Sequence, residues 1–255
     1  MKVVGIETKR MKLENAWHYV DSEVVGMVES RNPQLLVLPE KWVSDTLSWS
    51  EYEEVVRQFE SVSASHGSLV VPGSFAVKMK DGSARNISPV IHNGKLVGIQ
   101  PKISLFRNEA NELLGGERME VFSAGDIRLA VEVCYDLDFP YFTKNVARRG
   151  ARVIVNPSLI PLDFQDMWHI YVSARALENR VAVISVNSAS PEFGGNSVIA
   201  VPYRYQFGVK LRYFHSMNGI VEAQVDHSDF SELAEIRSRE DPGCYSLSRN
   251  EETSS

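Results

Sequence analysis

The stretch Leu35–Glu40, LLVLPE, places four consecutive apolar residues before a proline and a glutamate. A strand without polar alternation is buried on both faces, which is typical of parallel strands covered by helices. The run Arg152–Val155, RVIV, has the same character in the second half of the chain. These two stretches predict an α/β protein.

The sequence around Leu35–Glu40 extends this prediction. Two further apolar runs, Val3–Ile6 and Leu69–Phe75, predict strands on either side of it. Apolar residues at helical spacing fill the two intervals, at Val20, Val24, Met27 and Val28 and then at Tyr52, Val55, Val56, Phe59 and Val62. An Asn-Gly pair at 93–94 then separates Ile87–Ile91 from Leu96–Ile99 and predicts a hairpin, because both turn residues must tolerate positive φ.

The second half of the chain repeats this order of elements. Its patterns predict strands at Ile127–Val133, Arg152–Val155, Val181–Val186 and near Ser197–Val201, Lys210–Tyr213 and Ile220–Val225, with helices at about Tyr141–Arg149 and Gln165–Asn179. We therefore predict the α/β class and a four-layer α-β-β-α sandwich of two mixed, largely parallel sheets with helices outside. No Pro/Gly/Ser-rich linker separates the halves, so we predict one domain over 1–246 and a polar, flexible tail over 247–255.

Composition excludes several classes of protein. The chain has 255 residues with 27 basic and 33 acidic side chains, a formal charge of −6, which argues against a nucleic-acid partner because such proteins concentrate Lys and Arg. No run approaches the roughly 18 apolar residues of a membrane span, and charge comes too early for a signal peptide. Cys134 and Cys244 show no disulfide or zinc-site spacing, which favours a reducing, cytoplasmic location.

Three polar residues each follow a predicted strand, where ligands bind in open parallel sheets. Glu40 closes LLVLPE, Lys102 follows the second hairpin strand, and Cys134 closes IRLAVEVC. The hairpin reverses the chain twice, which predicts that Lys102 lies on the same rim as Glu40. Each residue taken singly has an ordinary structural explanation. Together, a thiol, a carboxylate and an ammonium could generate a thiolate and stabilise the oxyanion formed when it attacks an acyl carbon.

These residues resemble the nitrilase-like carbon–nitrogen hydrolases. Three landmarks carry the resemblance: LLVLPE ending at Glu40, PKISLF containing Lys102, and CYDLDFP beginning at Cys134. The spacing from lysine to cysteine, 134 − 102 = 32, suits the family. The later stretches ARALENR and GGNSVIAVP are also similar to family segments, so the resemblance covers nearly the whole chain.

The sequence departs from the family pattern at two positions. Asp138 stands where the family often carries Arg, which could alter local ion pairing or the preferred charge of the substrate, and Ser104 stands where it often carries His. The family also has a second glutamate shortly after the lysine. Among Glu109, Glu112 and Glu117 we favour Glu109 and hold Glu112 as the alternative.

The resemblance implies a hydrolase that cleaves a non-peptide C–N bond of an amide-type substrate through a cysteine thioester. Cys134 would be the nucleophile and Glu40 the proton carrier, while Lys102 and the backbone N–H of Tyr135 would stabilise the oxyanion. Glu109 would position the ammonium or the substrate. We expect substrate-binding residues at Tyr135, Trp42, Phe106 and Glu112. With no nucleotide motif and no metal-ligand spacing, we expect neither a cofactor nor a metal.

Several alternatives remain open on the sequence. N-carbamoyl or nitrile hydrolysis would use the same triad, and acyl transfer would pass the thioester to an amine in place of water. A papain-like arrangement would activate Cys134 through His169, oriented by Asn156 or Asn187. The fold could also serve as a binding or assembly module without catalysis.

The resemblance also bears on assembly, because family members commonly self-associate through the helix after the cysteine. Tyr141, Phe142 and Val146 could supply an apolar contact there, and core packing would explain the same residues. We expect a homodimer or a higher even oligomer. The expected binding partner is a small amide, carbamoyl or nitrile substrate, and we expect binding neither to nucleic acid nor to a membrane.

Overall fold

The structure, a computed structural model, describes residues 1–240. The predicted tail over 247–255 and Cys244 lie outside this range. The strands within it are β1 (Lys2–Ile6), β2 (Leu35–Val37), β3 (Leu69–Val71), β4 (Phe75–Lys78), β5 (Ala84–His92), β6 (Lys95–Pro101), β7 (Phe122–Ala124), β8 (Ile127–Val131), β9 (Val153–Ser158), β10 (Ala182–Asn187), β11 (Val198–Tyr205), β12 (Gly208–His215) and β13 (Ile220–Gln224).

Helices connect and flank these strands. They are α1 (Leu13–Tyr19), α2 (Val25–Arg31), α3 (Trp49–His66), α4 (Pro140–Arg148), α5 (Gln165–Asn179) and α6 (Ser228–Glu240). A π-helical turn at Val20–Val24 joins α1 to α2. None of the helices found in residues 1–240 has both the length and the apolar character that crossing a membrane requires.

The sequence of α3 shows why a helix forms there. Ser48 and Glu51 form a capping box, in which each side chain accepts a hydrogen bond from the backbone N–H of the other. The buried face consists of Tyr52, Val55, Val56, Phe59, Val62 and Ser63. Gly67, at φ 60°, ends the helix in the left-handed conformation that glycine adopts without strain. The apolar stripe predicted from the sequence is therefore the face that packs on the sheet.

The strands form two mixed sheets. The first has the order β13-β1-β2-β3-β5-β4, with β6 paired to β5, and the second has the order β12-β11-β10-β9-β8-β7. Parallel pairing joins β1, β2 and β3 in the first sheet and β8, β9 and β10 in the second. The outer strands pair antiparallel. Parallel strands thus occupy the covered centre of each sheet, where their unalternating apolar sequences are buried.

Alternate residues of the first sheet face two different cores. Val3 and Val37 belong to the core that contains the second sheet, whereas Val4 and Leu36 pack in the core beneath α3. The two sheets approach closely at Gly5, where a Cβ would lie only 2.6 Å from the side chain of Val186 on β10. Helices α4 and α5 cover the other face of the second sheet. This layering confirms the predicted α-β-β-α fold class.

The structure differs from the predicted elements in three places. The run Leu69–Phe75 forms two strands, β3 and β4, which pair with successive parts of one edge of β5, while β6 pairs with the other edge. Gly73 makes this break possible at φ 84°, where a Cβ would lie 1.9 Å from the carbonyl of Pro39. Strand β13 was predicted with the second half but pairs antiparallel with β1 in the first sheet. Strand β7 and helix α6 were not predicted.

Candidate active site

Cys134 lies in a tight turn shortly after β8 and begins the short helical segment Cys134–Asp138. Its φ of 46° is in the left-handed region, which costs a residue with a Cβ about 1–2 kcal/mol. Asn156 holds this turn by donating from Nδ2 to the Cys134 carbonyl at 3.3 Å. The surrounding structure therefore imposes the conformation of Cys134, as is common at functional sites.

Glu40 and Lys102 form a buried ion pair. Their side chains are 2% and 1% exposed, and Lys102 Nζ lies 3.0 Å from Glu40 Oε1. Asn86 on β5 donates from Nδ2 to the same oxygen at 2.7 Å. Because two donors hold one oxygen, the orientation of the Glu40 carboxylate is fixed.

The thiol of Cys134 donates a hydrogen bond to the carboxyl of Glu40. Burial and the charge of Glu40 raise the pKa of the thiol, and the nearby Lys102 ammonium offsets only part of this effect. The cysteine is therefore protonated at rest. A thiol of this kind becomes nucleophilic only when its partner carboxylate takes the proton.

Lys102 remains an ammonium in this environment. Burial acts to lower its pKa, but the charges of Glu40 and Glu109 outweigh burial and raise the pKa above its ordinary value. The side chain can therefore act as a fixed cation that stabilises negative charge, and it has no free lone pair with which to act as a base.

Glu109 is the second carboxylate at this ammonium. Its Oε2 lies 2.8 Å from Lys102 Nζ, and its Oε1 lies 2.7 Å from Lys41 Nζ. Burial alone would raise the pKa of Glu109, but the two lysines lower it to about 2. Glu112 is solvent-exposed, and its backbone N–H donates to the Glu109 carbonyl. The geometry therefore brings Glu109, and not Glu112, to the lysine.

Asp136 connects the lysine segment to the cysteine turn. Its carboxylate accepts the backbone N–H of Ser104 at 2.6 Å and that of Ile103 at 3.2 Å on one side. It accepts the N–H of Val133 at 3.2 Å on the other. Burial raises the pKa of Asp136 to about 6, although these N–H donors lower it. This shared carboxylate fixes the position of Lys102 relative to Cys134.

A cavity of about 230 Å³ opens onto Cys134. Most of its wall is apolar and is made by Leu159, Ile160, Pro161, Phe164, Met167 and Trp168. The rings of Phe106 and Tyr135, with centroids 5.0 Å apart, form another part of the wall. Arg107 and Asp138 are its charged residues. The volume is below the usual range of about 300–1,000 Å³ for ligand pockets, so the cavity suits a small substrate.

The model of the Carbon-nitrogen hydrolase family matches residues 3–205 of this chain. The chain belongs to the carbon–nitrogen hydrolase family. Among curated relatives, this hydrolase is 27% identical over 220 residues to the 2-oxoglutaramate amidase of Bacillus subtilis, covering 81% of this chain and 83% of that protein. It is 25% identical over 222 residues to the omega-amidase NIT3 of Saccharomyces cerevisiae, with coverage of 76% and 75%.

Solved structures share the fold of this carbon–nitrogen hydrolase. The crystal structure of Nit3 from Saccharomyces cerevisiae, a nitrilase-superfamily member, matches with a TM-score of 0.73 at 20% identity, covering 92% of this chain and 93% of that one. A mutant of the Nesterenkonia sp. AN1 amidase matches with a TM-score of 0.74 at 20% identity, covering 94% and 96%. The family resemblance seen in the sequence is confirmed: the chain is a carbon–nitrogen hydrolase with the fold of these nitrilase-superfamily structures.

Trp42 differs from the expectation that it lines the substrate pocket of this hydrolase. It is 1% exposed, and its Nε1 donates to the Pro72 carbonyl at 2.7 Å. Its ring makes edge contacts with Phe59 and Phe75 in the core beneath α3. A buried carbonyl satisfies the indole N–H, so Trp42 packs in the core and supports the segment that carries Glu40.

The papain-like alternative finds no support in the geometry of the hydrolase. His169 lies in a separate surface cavity, with Nε2 2.9 Å from the Asn196 carbonyl and its ring 5.5 Å from that of His215. Asn187 donates to the Gly195 carbonyl at 2.8 Å. The hydrogen-bond partner of the Cys134 thiol is a carboxylate, and no imidazole takes that place within residues 1–240.

Three residues of this site were not singled out on the sequence: Asn86, Lys41 and Asp136, the last of which lies within the CYDLDFP motif. Asn86 is a buried polar residue of β5 that directly precedes the apolar residue Ile87. A polar residue at the start of a predicted buried strand is the signal that could have identified it. Lys41 follows Glu40 directly and gave no signal, because its ion pair with Glu109 joins segments 68 residues apart.

Proposed function

We propose that this carbon–nitrogen hydrolase cleaves a small amide-type substrate through a thioester on Cys134, releasing ammonia or an amine and then a carboxylic acid. The observation that supports this most directly is a continuous set of contacts from the Cys134 thiol to Glu40, from Glu40 to Lys102, and from Lys102 to Glu109. These contacts end at a small cavity whose wall includes the thiol.

In the first half of the proposed reaction, Glu40 accepts the thiol proton as the Cys134 sulfur attacks the carbonyl carbon. The negative charge that develops on the carbonyl oxygen is stabilised by the Lys102 ammonium and the backbone N–H of Tyr135. Glu40 then passes its proton to the nitrogen, the C–N bond breaks, and the amine or ammonia leaves. The thioester remains on Cys134.

In the second half, the ionised Glu40 takes a proton from water while the water oxygen attacks the thioester carbon. The same two donors stabilise the new oxyanion. When the tetrahedral species collapses, the C–S bond breaks and the sulfur recovers the proton from Glu40. Glu109, held ionised between Lys41 and Lys102, keeps the ammonium in place throughout.

The test is ammonia release across four substrate classes: small aliphatic amides, ω-amides of keto acids such as 2-oxoglutaramate, N-carbamoyl compounds and nitriles. We expect turnover of at least one amide, and background rates for all four classes with Cys134→Ala. Turnover only of nitriles or N-carbamoyl compounds would support those alternatives with the same residues. Unchanged turnover in Cys134→Ala would refute the thioester mechanism.

Lys102→Met is expected to reduce kcat/KM on the best amide by a factor of about 10²–10³ or more, because it removes an oxyanion donor. Loss of one partner from a buried ion pair also destabilises the fold. The double variant Lys102→Met/Glu109→Gln removes one charge of each sign and is assayed beside the single variant. The unfolding midpoint of each variant is also measured. Near-normal activity in a folded variant would remove Lys102 from the mechanism.

We also propose that the protein is a homodimer or higher even oligomer and works in the reducing cytoplasm, where a thiol nucleophile persists. Tyr141 on α4 is 51% exposed and Ile170 on α5 is 67% exposed, so apolar surface is available on these helices. Val146, expected at the same contact, is fully buried in the core and cannot contribute. Light scattering that detects only monomer at micromolar concentration would contradict this assembly.

A further inference from the structure

Asp138 is the acidic residue in the wall of the cavity that opens onto Cys134. It ends the short helical segment that begins at Cys134, so its backbone is fixed relative to the nucleophile. Arg175 holds that end in place by donating from Nη2 to the Asp138 carbonyl at 2.6 Å. Asp138 therefore borders the cavity from a rigid position.

One oxygen of this carboxylate lacks a partner. Oδ1 of Asp138 is buried and accepts no hydrogen bond from any of the residues 1–240. Burial raises the pKa of Asp138 above its ordinary value, and the charge of Arg175 offsets part of that rise. Because Oδ1 has almost no accessible surface, it does not itself contact a molecule in the cavity, and the carboxylate acts on such a molecule through its charge.

The other charged residue of the cavity wall is Arg107, and no salt bridge joins it to Asp138 among the described residues. Deeper in the site, the cations Lys41 and Lys102 pair with the anions Glu40 and Glu109, and the carboxylate of Asp136 lies nearby, so this group of charges supplies no excess of positive charge. Arg107 is solvent-exposed at the cavity, with its guanidinium 4.9 Å from the centre of the Phe106 ring, so water screens its charge.

Arg175 is the remaining cation near Asp138. Its Nη1 is 3.3 Å from the carboxylate of Glu178. Its Nε and Nη2 donate to the carbonyls of Leu137 and Asp138. The guanidinium is therefore committed to groups other than the Asp138 carboxylate, whose charge remains available to a bound molecule.

We propose that Asp138 determines the charge preference of the cavity, favouring cationic and neutral acyl groups over acyl groups that end in a carboxylate. This proposal rests on the proposed function, in which the acyl group of the substrate is transferred to Cys134. The apolar wall accommodates the carbon chain, and the negative charge of Asp138 acts on the group at the end of that chain.

The first experiment measures alkylation of Cys134 and requires no turnover. In this reaction the sulfur forms a C–S bond, halide leaves, and the thiol proton passes to the base. Rates with neutral iodoacetamide, anionic iodoacetate and cationic 2-bromoethylamine are followed by mass spectrometry of the Cys134 peptide. Each rate is divided by the rate of the same reagent with N-acetylcysteine, which removes differences in intrinsic reactivity.

The variants are Asp138→Asn, Asp138→Ala and the matched control Asp166→Asn. Asp166 is a solvent-exposed carboxylate in the first turn of α5 that does not line the cavity. We expect both Asp138 variants to raise the iodoacetate-to-iodoacetamide ratio about five- to tenfold, as removal of one partly screened charge predicts. The bromoethylamine ratio should fall by a similar factor, and Asp166→Asn should change either ratio less than twofold.

The second experiment compares hydrolysis of three amides of similar length: cationic 3-aminopropanamide, neutral butyramide and anionic succinamate. The expected order of kcat/KM is cationic, then neutral, then anionic, with the spread reduced in Asp138→Asn. If no amide is hydrolysed but the alkylation ratios shift as expected, the proposed function fails and the charge preference stands.

Two results would overturn the proposal. One is an alkylation ratio that changes no more in Asp138→Asn than in Asp166→Asn. The other is a wild-type preference for iodoacetate that Arg107→Met abolishes, because the exposed guanidinium would then set the charge preference.

Discussion

At the scale of single residues, Cys134 has two features that a cysteine serving only as a packed hydrophobe does not require. Its backbone is held at φ 46°, and its thiol donates to a carboxylate that two other donors already orient. Both features have a cost, since left-handed backbone is strained and the buried charges of Glu40 and Lys102 are desolvated. Their coincidence at one cavity is what favours a catalytic site over an assembly module.

Lys41 provides a residue-scale prediction. Its Nζ holds Glu109 at 2.7 Å, and removal in Lys41→Met leaves Lys102 as the cation on that carboxylate. We expect kcat/KM on the best amide to fall about three- to tenfold, in line with a partly exposed ion pair worth about 1 kcal/mol. Lys41→Arg should recover most of the loss. Lys12→Met, which breaks an ion pair of equal length with Asp45, is the control. Equal losses in Lys41→Met and Lys12→Met would contradict a positioning role.

At the scale of elements, the end of β8 and the start of α4 are joined through a buried acid. Glu132 is fully buried, and its Oε2 accepts from Thr143 of α4 at 2.9 Å. Burial raises the pKa of Glu132 to about 8, with a further contribution from Asp136. At neutral pH this carboxyl is therefore protonated, and it joins strand and helix as a neutral group.

This shift predicts how stability depends on pH. The folded-state pKa of Glu132 lies above the unfolded value, so the native state binds the proton more tightly. Its stabilising effect is fully present below about pH 4.5 and is lost as pH rises through about 8. Glu132→Gln should remove this loss and raise the free energy of unfolding relative to wild type by about 3 kcal/mol at pH 7.

Urea unfolding of Glu132→Gln at pH 5 and pH 8 checks this expectation. The exposed Glu29→Gln controls for the loss of a negative charge. The expectation is contradicted if the free energy of unfolding of the wild type is the same at both pH values and that of Glu132→Gln is also unchanged. The surroundings would then compensate the ionised carboxylate.

At the scale of the whole molecule, the distance between the two sheets decides whether the site can form. Glu40 and Lys102 follow strands of the first sheet, whereas Cys134 follows a strand of the second. The hydrogen bond from the thiol to Glu40 therefore spans the interface between the sheets. Asp136 and the segment after Lys102 form a second link across it.

Gly5→Ala tests this spacing. The added Cβ would lie 2.6 Å from Val186 and 2.7 Å from Val221, so the sheets must move apart or side chains must change rotamer. We expect a loss of about 1–3 kcal/mol in the free energy of unfolding together with a fall in kcat/KM. In the matched control, Gly26→Ala in α2, the new Cβ meets nothing within 4 Å, and the helix should gain about 0.5–1 kcal/mol. A neutral Gly5→Ala would show that the interface is not tightly packed.

The sequence by itself determined the features that contiguous residues encode. Unalternating apolar runs located the central parallel strands, the Asn-Gly pair at 93–94 located the hairpin, and the spacing of apolar residues predicted α5 at Gln165–Asn179. Burial, helical period and turn conformation act over a few neighbouring positions, so they leave a local pattern. The three motifs that carry the family resemblance are equally local.

The tertiary structure alone decided which distant residues meet. It paired β13 with β1, brought Lys41 to Glu109, directed Asn86 toward Glu40 and placed Trp42 in the core. Each of these contacts depends on how two twisted sheets pack and on which polar groups find a partner when water is excluded. Neither quantity is contained in any short stretch of residues.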